Sequence, residues 1–360
     1  MTTEGSPLFH LLAARIAAEG PIPLSDYMAE CLMHPAHGYY ATRDPFGVAG
    51  DFTTAPEISQ MFGEMLGICL AQTWVEQGRP APFALAELGP GRGTLMADIL
   101  RTVRVVPGMA GAARVHLVET SASLRERQRS ALAAHKVTWA GTAGELPDQP
   151  LFLVANEFFD ALPIRQFRRT GAGWSEIQIG LALGRLSLGL APPAQVPALS
   201  HRLADTAEGD VVELCPPLAS IALGLARRIA ARGGAAIVTD YGGWRSRGDT
   251  LQAVRTHRPT DPLADPGEAD LTAHVDFEAL SLAFRAGGAA VTRMTPQGAF
   301  LKRLGIAERA QALASRLTGP ALESHLAALR RLTDAAEMGD LFKAIACFPP
   351  GCPAPFGFDP

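Results

Sequence analysis

Lysine is nearly missing from this 360-residue chain, occurring only at 136, 302 and 343, so arginine supplies almost all of the 32 basic residues. Acids outnumber bases by 36 to 32, which excludes a protein that holds nucleic acid through a basic face. The short arginine pairs at 168/169, 227/228 and 330/331 read as edges of helices and strands rather than as a footprint. Cysteine is scarce as well. Cys31, Cys69, Cys215, Cys347 and Cys352 contain no CxxC pair, and the one close pair, Cys347 and Cys352, has no histidine nearby, which argues against a disulfide framework and a zinc site and suits a reducing cytoplasm. Charge interrupts every apolar run well short of the roughly 20 residues of a membrane span. No basic region followed by an apolar stretch opens the chain, so the amphipathic segment 7–19 reads as part of the fold. These absences together predict a cytoplasmic protein without nucleic acid, membrane or metal partners.

At 48% apolar and 19% charged, the chain is long enough for one large core and a satellite. Its 36 glycines and 28 prolines fall in loops without a period, which excludes collagen-like and disordered classes. Helices are predicted over 7–19 and 24–33, followed by a long loop over 34–54. A third helix starts at Thr54, where Thr54 and Glu57 have capping-box spacing, and runs to about 78. Residues 1–80 thus read as an N-terminal helical cap, and 81–360 as the main domain with an insertion over 164–215. From 83 onward, strands at 83–88, 114–119, 136–140, 151–155 and 234–240 alternate with helices at 94–104, 121–134 and 216–232. That rhythm predicts an α/β fold with a Rossmann-like parallel sheet. Three short runs at 164–169, 174–179 and 181–190, joined at 171–173 and at Gly180, predict an inserted antiparallel β-meander. The tail predicts a helix capped by Asp276, a strand over 288–294, further helices and a closing strand over 341–348.

The first strand ends in ELGPGRG at 87–93, and a helix starts at Thr94. Gly89, Gly91 and Gly93, with Pro90 between, let the backbone turn sharply and approach a ligand closely. The dinucleotide fingerprint needs a glycine at 94, where threonine stands, and a Walker A loop needs a lysine that is not there. An acid two residues before the turn, Glu87, suits a ligand that carries an ammonium and no phosphate. S-adenosylmethionine is such a ligand. Glu119, at the end of the second strand, is spaced to accept both ribose hydroxyls; its competing role is to neighbour a helix cap at Ser121.

Strand ends carry ligands in open parallel sheets, so Asn156, Glu157 and Asp160 after the fourth strand are the candidate chemical residues, with Asn156 at the cofactor. Glu157 and Asp160 could otherwise complement a helix dipole, with Asn156 as its N-cap. The loop after the fifth strand supplies Asp240 and Tyr241, and Tyr241 reads as a lid residue over the substrate channel. Residues 51–60, with Asp51 and Thr54, read as a helix N-terminus that closes the cofactor pocket. The acid- and histidine-rich stretch His257, Asp261, Asp265, Asp270, His274 and Asp276 matches no standard metal spacing; His274 is kept as a substrate-side candidate.

Seven strings, GPIP at 20–23, HPAHGYY at 34–40, GDFTTAPEISQMFGE at 50–64, ELGPGRG at 87–93, NEFFDALP at 156–163, DYGG at 240–243 and DLTAHVDF at 270–277, resemble those of the MidA family over nearly the whole chain. The resemblance implies a class I S-adenosylmethionine-dependent methyltransferase fold. A mitochondrial member of that family acts as a protein arginine methyltransferase in assembly of respiratory complex I, so a protein substrate such as a respiratory-complex subunit is what the resemblance implies here. For such an acceptor, a pair of carboxylates, Glu157 and Asp160, would hold the guanidinium fork and localise its lone pair. The stretch 141–145 departs from the class pattern, in which an acid meets the adenine amino group. Two alternatives stand beside this expectation: a cofactor-binding assembly factor without catalysis, and a methyltransferase of small phenols or amines.

Overall fold

Buried apolar runs alternating with amphipathic helices build one mostly parallel sheet, which the computed structural model describes within residues 6–42, 53–171 and 173–358. Across the sheet the strands run Ala290–Val291, Phe342–Phe348, Gly234–Gly243, Leu151–Asn156, Phe83–Leu88, Ala113–Val118 and Val137–Ala140. Neighbours from Gly234–Gly243 to Val137–Ala140 are all parallel, and Phe342–Phe348 closes the other side antiparallel. From Phe83–Leu88 the chain steps outward to Val137–Ala140 and then returns to Leu151–Asn156 on the opposite side. Strand order therefore reverses between Phe83–Leu88 and Leu151–Asn156, the point where open α/β sheets bind ligands. Both of these strands are buried at every residue, as expected of central parallel strands covered on two faces.

Contacts divide the chain into two compact units: Met1–Phe52, Asp160–Leu218 and Arg245–His274 form one, while Thr53–Phe159, Ala219–Trp244 and Val275–Pro360 form the other, which holds the parallel sheet. This differs from a division at residue 80, because the helix Gln60–Glu76 packs into the core of the parallel sheet. Trp74 meets Phe83 at 5.9 Å and Phe83 meets Phe152 edge-on at 5.1 Å. The first unit carries the meander, Arg165–Thr170, Gly173–Ala182 and Arg185–Leu190, extended by Val211–Leu214 and Ile22–Pro23. Its core gathers Leu8, Leu12, Tyr27, Met28 and Ile179.

Several local expectations change in the folded chain. The predicted third helix is two, Ala55–Ile58 and Gln60–Glu76, because Ser59 is extended (φ −161°, ψ 137°) and its hydroxyl accepts the Met61 N–H at 3.2 Å as a new N-cap. The strand expected over 288–294 splits into Ala290–Val291 and Thr295–Pro296, whose pairing with Phe342–Phe348 holds one extra residue. Thr292 spans the bulge, its hydroxyl accepting the Ala346 N–H at 3.0 Å. Gly180 makes no turn, since the strand continues to Ala182 and the hairpin turns at Leu183 and Gly184, with φ 51° and 75°.

Candidate active site

The glycine turn follows Phe83–Leu88 and leads into the helix Thr94–Val105. Gly89, Gly91 and Gly93 have φ of 59°, 51° and 85°, where side-chain-bearing residues are strained. A Cβ on Gly89 would also come within 2.9 Å of the Phe158 ring. Pro90 closes the turn, its carbonyl accepting the Gly93 N–H at 2.7 Å. Glu87 lies beneath it, 2% exposed, with Oε2 buried and without a hydrogen-bond partner among the described residues. Burial pushes its carboxyl up to about 8, against the pull of the Met96 N–H, while Asp98 and Glu119 push it further up.

Glu119 stands just past the end of Ala113–Val118. Its Oε1 accepts the Ser121 N–H at 2.8 Å and its Oε2 accepts Gln128 Nε2 at 3.2 Å. Ser121 is indeed the N-cap of the helix Ala122–Ala131, so Glu119 supports that cap. Each carboxylate oxygen has a second lone pair, which leaves room for a diol. Burial raises its carboxyl, offset by those donors. Gln128 was not singled out from the sequence, yet it ties the site together. Fully buried, it donates from Nε2 to Gly91 O at 2.8 Å as well as to Glu119, and its Oε1 accepts Trp139 Nε1 at 2.8 Å. The signal for it was a polar residue at a core position of a helical period, between Leu124 and Leu132, both buried.

Across the switch point, Asn156 ends Leu151–Asn156 and Glu157 follows with φ 50°. No helix begins here; the next element is the strand Arg165–Thr170, so Asn156 is no N-cap and Glu157 complements no helix that follows it. Instead Asn156 Oδ1 accepts Thr239 Oγ1 at 2.8 Å, while its Nδ2 donates to Glu157 Oε1 at 3.0 Å. The same Oε1 accepts the Ala55 N–H at 3.2 Å. Burial raises the Glu157 carboxyl, and these two donors pull it back. Thr54, 7% exposed, makes no side-chain cap bond. Glu57 is not a capping-box acid either: it accepts Thr94 Oγ1 at 2.6 Å and lies 3.9 Å from Arg92. Asp240 is fully buried and accepts the Phe159 and Tyr241 N–H groups, each at 3.0 Å. Tyr241 belongs to the strand Gly234–Gly243 rather than to a loop, and its ring packs edge-on against Phe342 at 5.6 Å.

Asp160 and His274 belong to the other unit. Asp160 is buried, its carbonyl accepts the Ala273 N–H at 2.9 Å, and its charge helps to raise the Tyr40 phenol beyond the effect of burial and of Asp270. The His274 backbone N–H donates to Thr250 Oγ1 at 2.9 Å, and burial lowers the His274 imidazole. Asp276 caps the helix Phe277–Ala286 through the Ala279 N–H at 3.0 Å. Glu145 accepts its own turn's Gly141 N–H and Thr142 hydroxyl, both at 3.0 Å. Asp51 lies outside the described residues, as does the first part of the 51–60 segment.

The parallel-sheet unit thus gathers Glu87, the glycine turn, Glu119, Asn156 and Glu157, with no lysine among them and with Arg92 beside Glu57. Three carboxylates, one with an orphaned buried oxygen, beside a turn that admits no side chain at Gly89, fit a cationic ligand with an ammonium and a diol better than a phosphate. The family model for S-adenosyl-L-methionine-dependent methyltransferases of the Methyltransf_28 type matches residues 65–295. The mouse protein arginine methyltransferase NDUFAF7, mitochondrial, is 37% identical over 97% of this chain and 86% of its own. Its human counterpart is 38% identical over 96% and 84%. Among solved structures, a COG1565 superfamily member from Burkholderia thailandensis bound to S-adenosyl-homocysteine superposes with a TM-score of 0.83 at 30% identity, covering 97% of this chain and 93% of that one. Among the described residues, no helix is long and apolar enough to cross a membrane. The expectation of a cytoplasmic protein is overturned by the mouse and human relatives, which are named as mitochondrial proteins. Few cysteines report on a redox environment and carry no address.

Proposed function

The chain belongs to this family of S-adenosyl-L-methionine-dependent methyltransferases, and from that premise we propose that it methylates an arginine side chain of a protein, with Glu157 receiving the guanidinium. Glu157 itself carries the reading. It is a desolvated carboxylate held through Oε1 by Ala55 and Asn156, beside the point where strand order reverses. A non-glycine residue at φ 50° costs about 1 to 3 kcal/mol, a strain that persists at sites where position matters. The mitochondrial relatives named as protein arginine methyltransferases support arginine as the acceptor. The MidA resemblance supports a respiratory-complex subunit as the protein that carries it.

In this reading the orphaned oxygen of Glu87 receives the cofactor's ammonium, Glu119 accepts the ribose hydroxyls, and the glycine turn lets backbone approach closely. The bound cofactor supplies an electrophilic methyl group on a sulfonium. Glu157 orients one guanidinium nitrogen. Transfer of that methyl would leave the C–S electron pair on sulfur and free one proton from the nitrogen, which the Glu157 carboxylate, raised by burial, would accept. Glu157 alone is assigned to this step; Asp160 shares the polar surroundings of Tyr40.

The test is to incubate extract of a deletion strain with the enzyme and methyl-labelled cofactor, and then to locate the label. Label in protein arginine is expected. Glu157→Gln should lower turnover by about 100-fold or more while cofactor affinity stays within a few-fold. Label on a small molecule, cofactor binding without any transfer, or a fully active variant that melts lower would each sink the reading.

A further inference from the structure

The meander ends on an open edge. Gly173–Ala182 pairs with Arg165–Thr170 and Ile22–Pro23 along one side and with Arg185–Leu190 along the other, whereas Arg185–Leu190 pairs only with Gly173–Ala182 among the described residues. Exposed strand edges invite another strand, and proteins usually blunt them with lysine, proline or a bulge. This one has none of the three; its single charge is Arg185 at the start. Leu188 and Leu190 are 52% and 48% exposed, and Leu183 at the hairpin tip is fully so.

Register shows which groups face outward. The Ala191 N–H bonds Glu176 O at 2.9 Å, so in an antiparallel ladder residues 189, 187 and 185 bond inward. Leu186, Leu188 and Leu190 then turn both N–H and C=O to the open edge. Their side chains share one face, continuing the buried stripe of Ile177 and Ile179 to which Leu190 and Leu188 are paired.

We propose that this edge joins a second copy of the same chain, strand to strand and antiparallel, about a two-fold axis at Leu188. The segment reads nearly the same in both directions: leucine at 186, 188 and 190, with small Ser187 and Gly189 between. Antiparallel self-pairing sets Leu188 against Leu188 of the second copy and Leu186 against its Leu190, so every leucine rung is doubly hydrogen-bonded and the exposed leucines become cross-strand neighbours. Ser187 meets Gly189, which avoids crowding on the other face. The two Arg185 residues fall at opposite ends of the ladder, roughly 20 Å apart at about 3.3 Å per residue, well beyond a screening length of about 8 Å. No like charges therefore oppose the pairing.

Sedimentation equilibrium and light scattering at micromolar concentration test the proposal. The wild type should have twice the 38.0 kDa mass of one chain. Leu188→Lys puts two like charges at the axis, and Leu188→Pro removes the outward N–H without touching an inward bond. Each should weaken dimerisation by about 100-fold or more and give a single-chain mass, with S-adenosylhomocysteine still bound as proof of an intact fold. A monomeric wild type, or a dimer that both variants leave unchanged, overturns the proposal. So does a monomeric wild type in which Leu188→Lys lowers methylation of a protein acceptor, which would give the edge to the substrate.

Discussion

A carboxyl pushed up to about 8 by burial, as that of Glu87 is, keeps its proton at neutral pH in the ligand-free protein. Its folded affinity for the proton lies above the ordinary value of 4.5, so its contribution to stability is complete below about 4.5 and is lost as pH rises through about 8. Binding an ammonium reverses the preference, since the ligand needs the carboxylate. Affinity for S-adenosylhomocysteine should thus rise with pH towards about 8, by at most about tenfold per unit, with proton release below that pH. Titration calorimetry in buffers of different ionisation enthalpy measures both, and Glu87→Gln should flatten the dependence. An unchanged profile in that variant would remove Glu87 from the ligand. The residue was legible in the sequence because its place before the turn is local. Gln128 was not, since its three bonds reach to Gly91, Glu119 and Trp139, and only folding brings those together.

Helix against helix, Gln60–Glu76 and Thr94–Val105 meet closely at Gly63 and Gly67. A Cβ on Gly63 would lie 2.5 Å from the Asp98 Cβ, and one on Gly67 would lie 2.9 Å from the Thr102 Cβ. Alanine is the better helix former by about 1 kcal/mol, yet Gly63→Ala should lower the melting temperature by several degrees, because the helices must separate. Calorimetry or circular dichroism checks this, and a higher melting temperature would mean that the pair has slack. Elements of this kind were legible where signals lie within a turn or two. The helix expected over 216–232 is the helix Pro216–Arg232. The third helix was misread because Thr54 and Glu57 have capping-box spacing, while the Glu57 carboxylate goes to Thr94, 37 residues away. Propensity sees the spacing and not the competing partner.

At the scale of the whole molecule, burial decides which of the five cysteines can react. Burial pushes the thiols of Cys31, Cys215 and Cys347 up to about 12 and raises that of Cys69 as well, while Cys215 and Cys352 each keep part of their surface exposed. A thiol reagent at neutral pH should label Cys352 first in the native protein, the partly exposed Cys215 with its raised thiol more slowly, and Cys31, Cys69 and Cys347 only on unfolding, read by mass spectrometry. Rapid native labelling of Cys31 or Cys347 would contradict the packing. The sequence by itself determined the alternation of strands and helices, the glycine turn and the acids around it, because period, turn chemistry and loop composition act over a few residues. Only the tertiary structure decided the rest: that strand order reverses beside Glu157, that Tyr241 faces Phe342, and that Asp160 falls in another unit than Glu157. It also decided that Arg309 pairs with Glu64 at 2.8 Å across 245 residues of chain. Such partners are chosen by burial and by the need to satisfy polar groups inside a packed core, and no local pattern records which distant residue will meet that need.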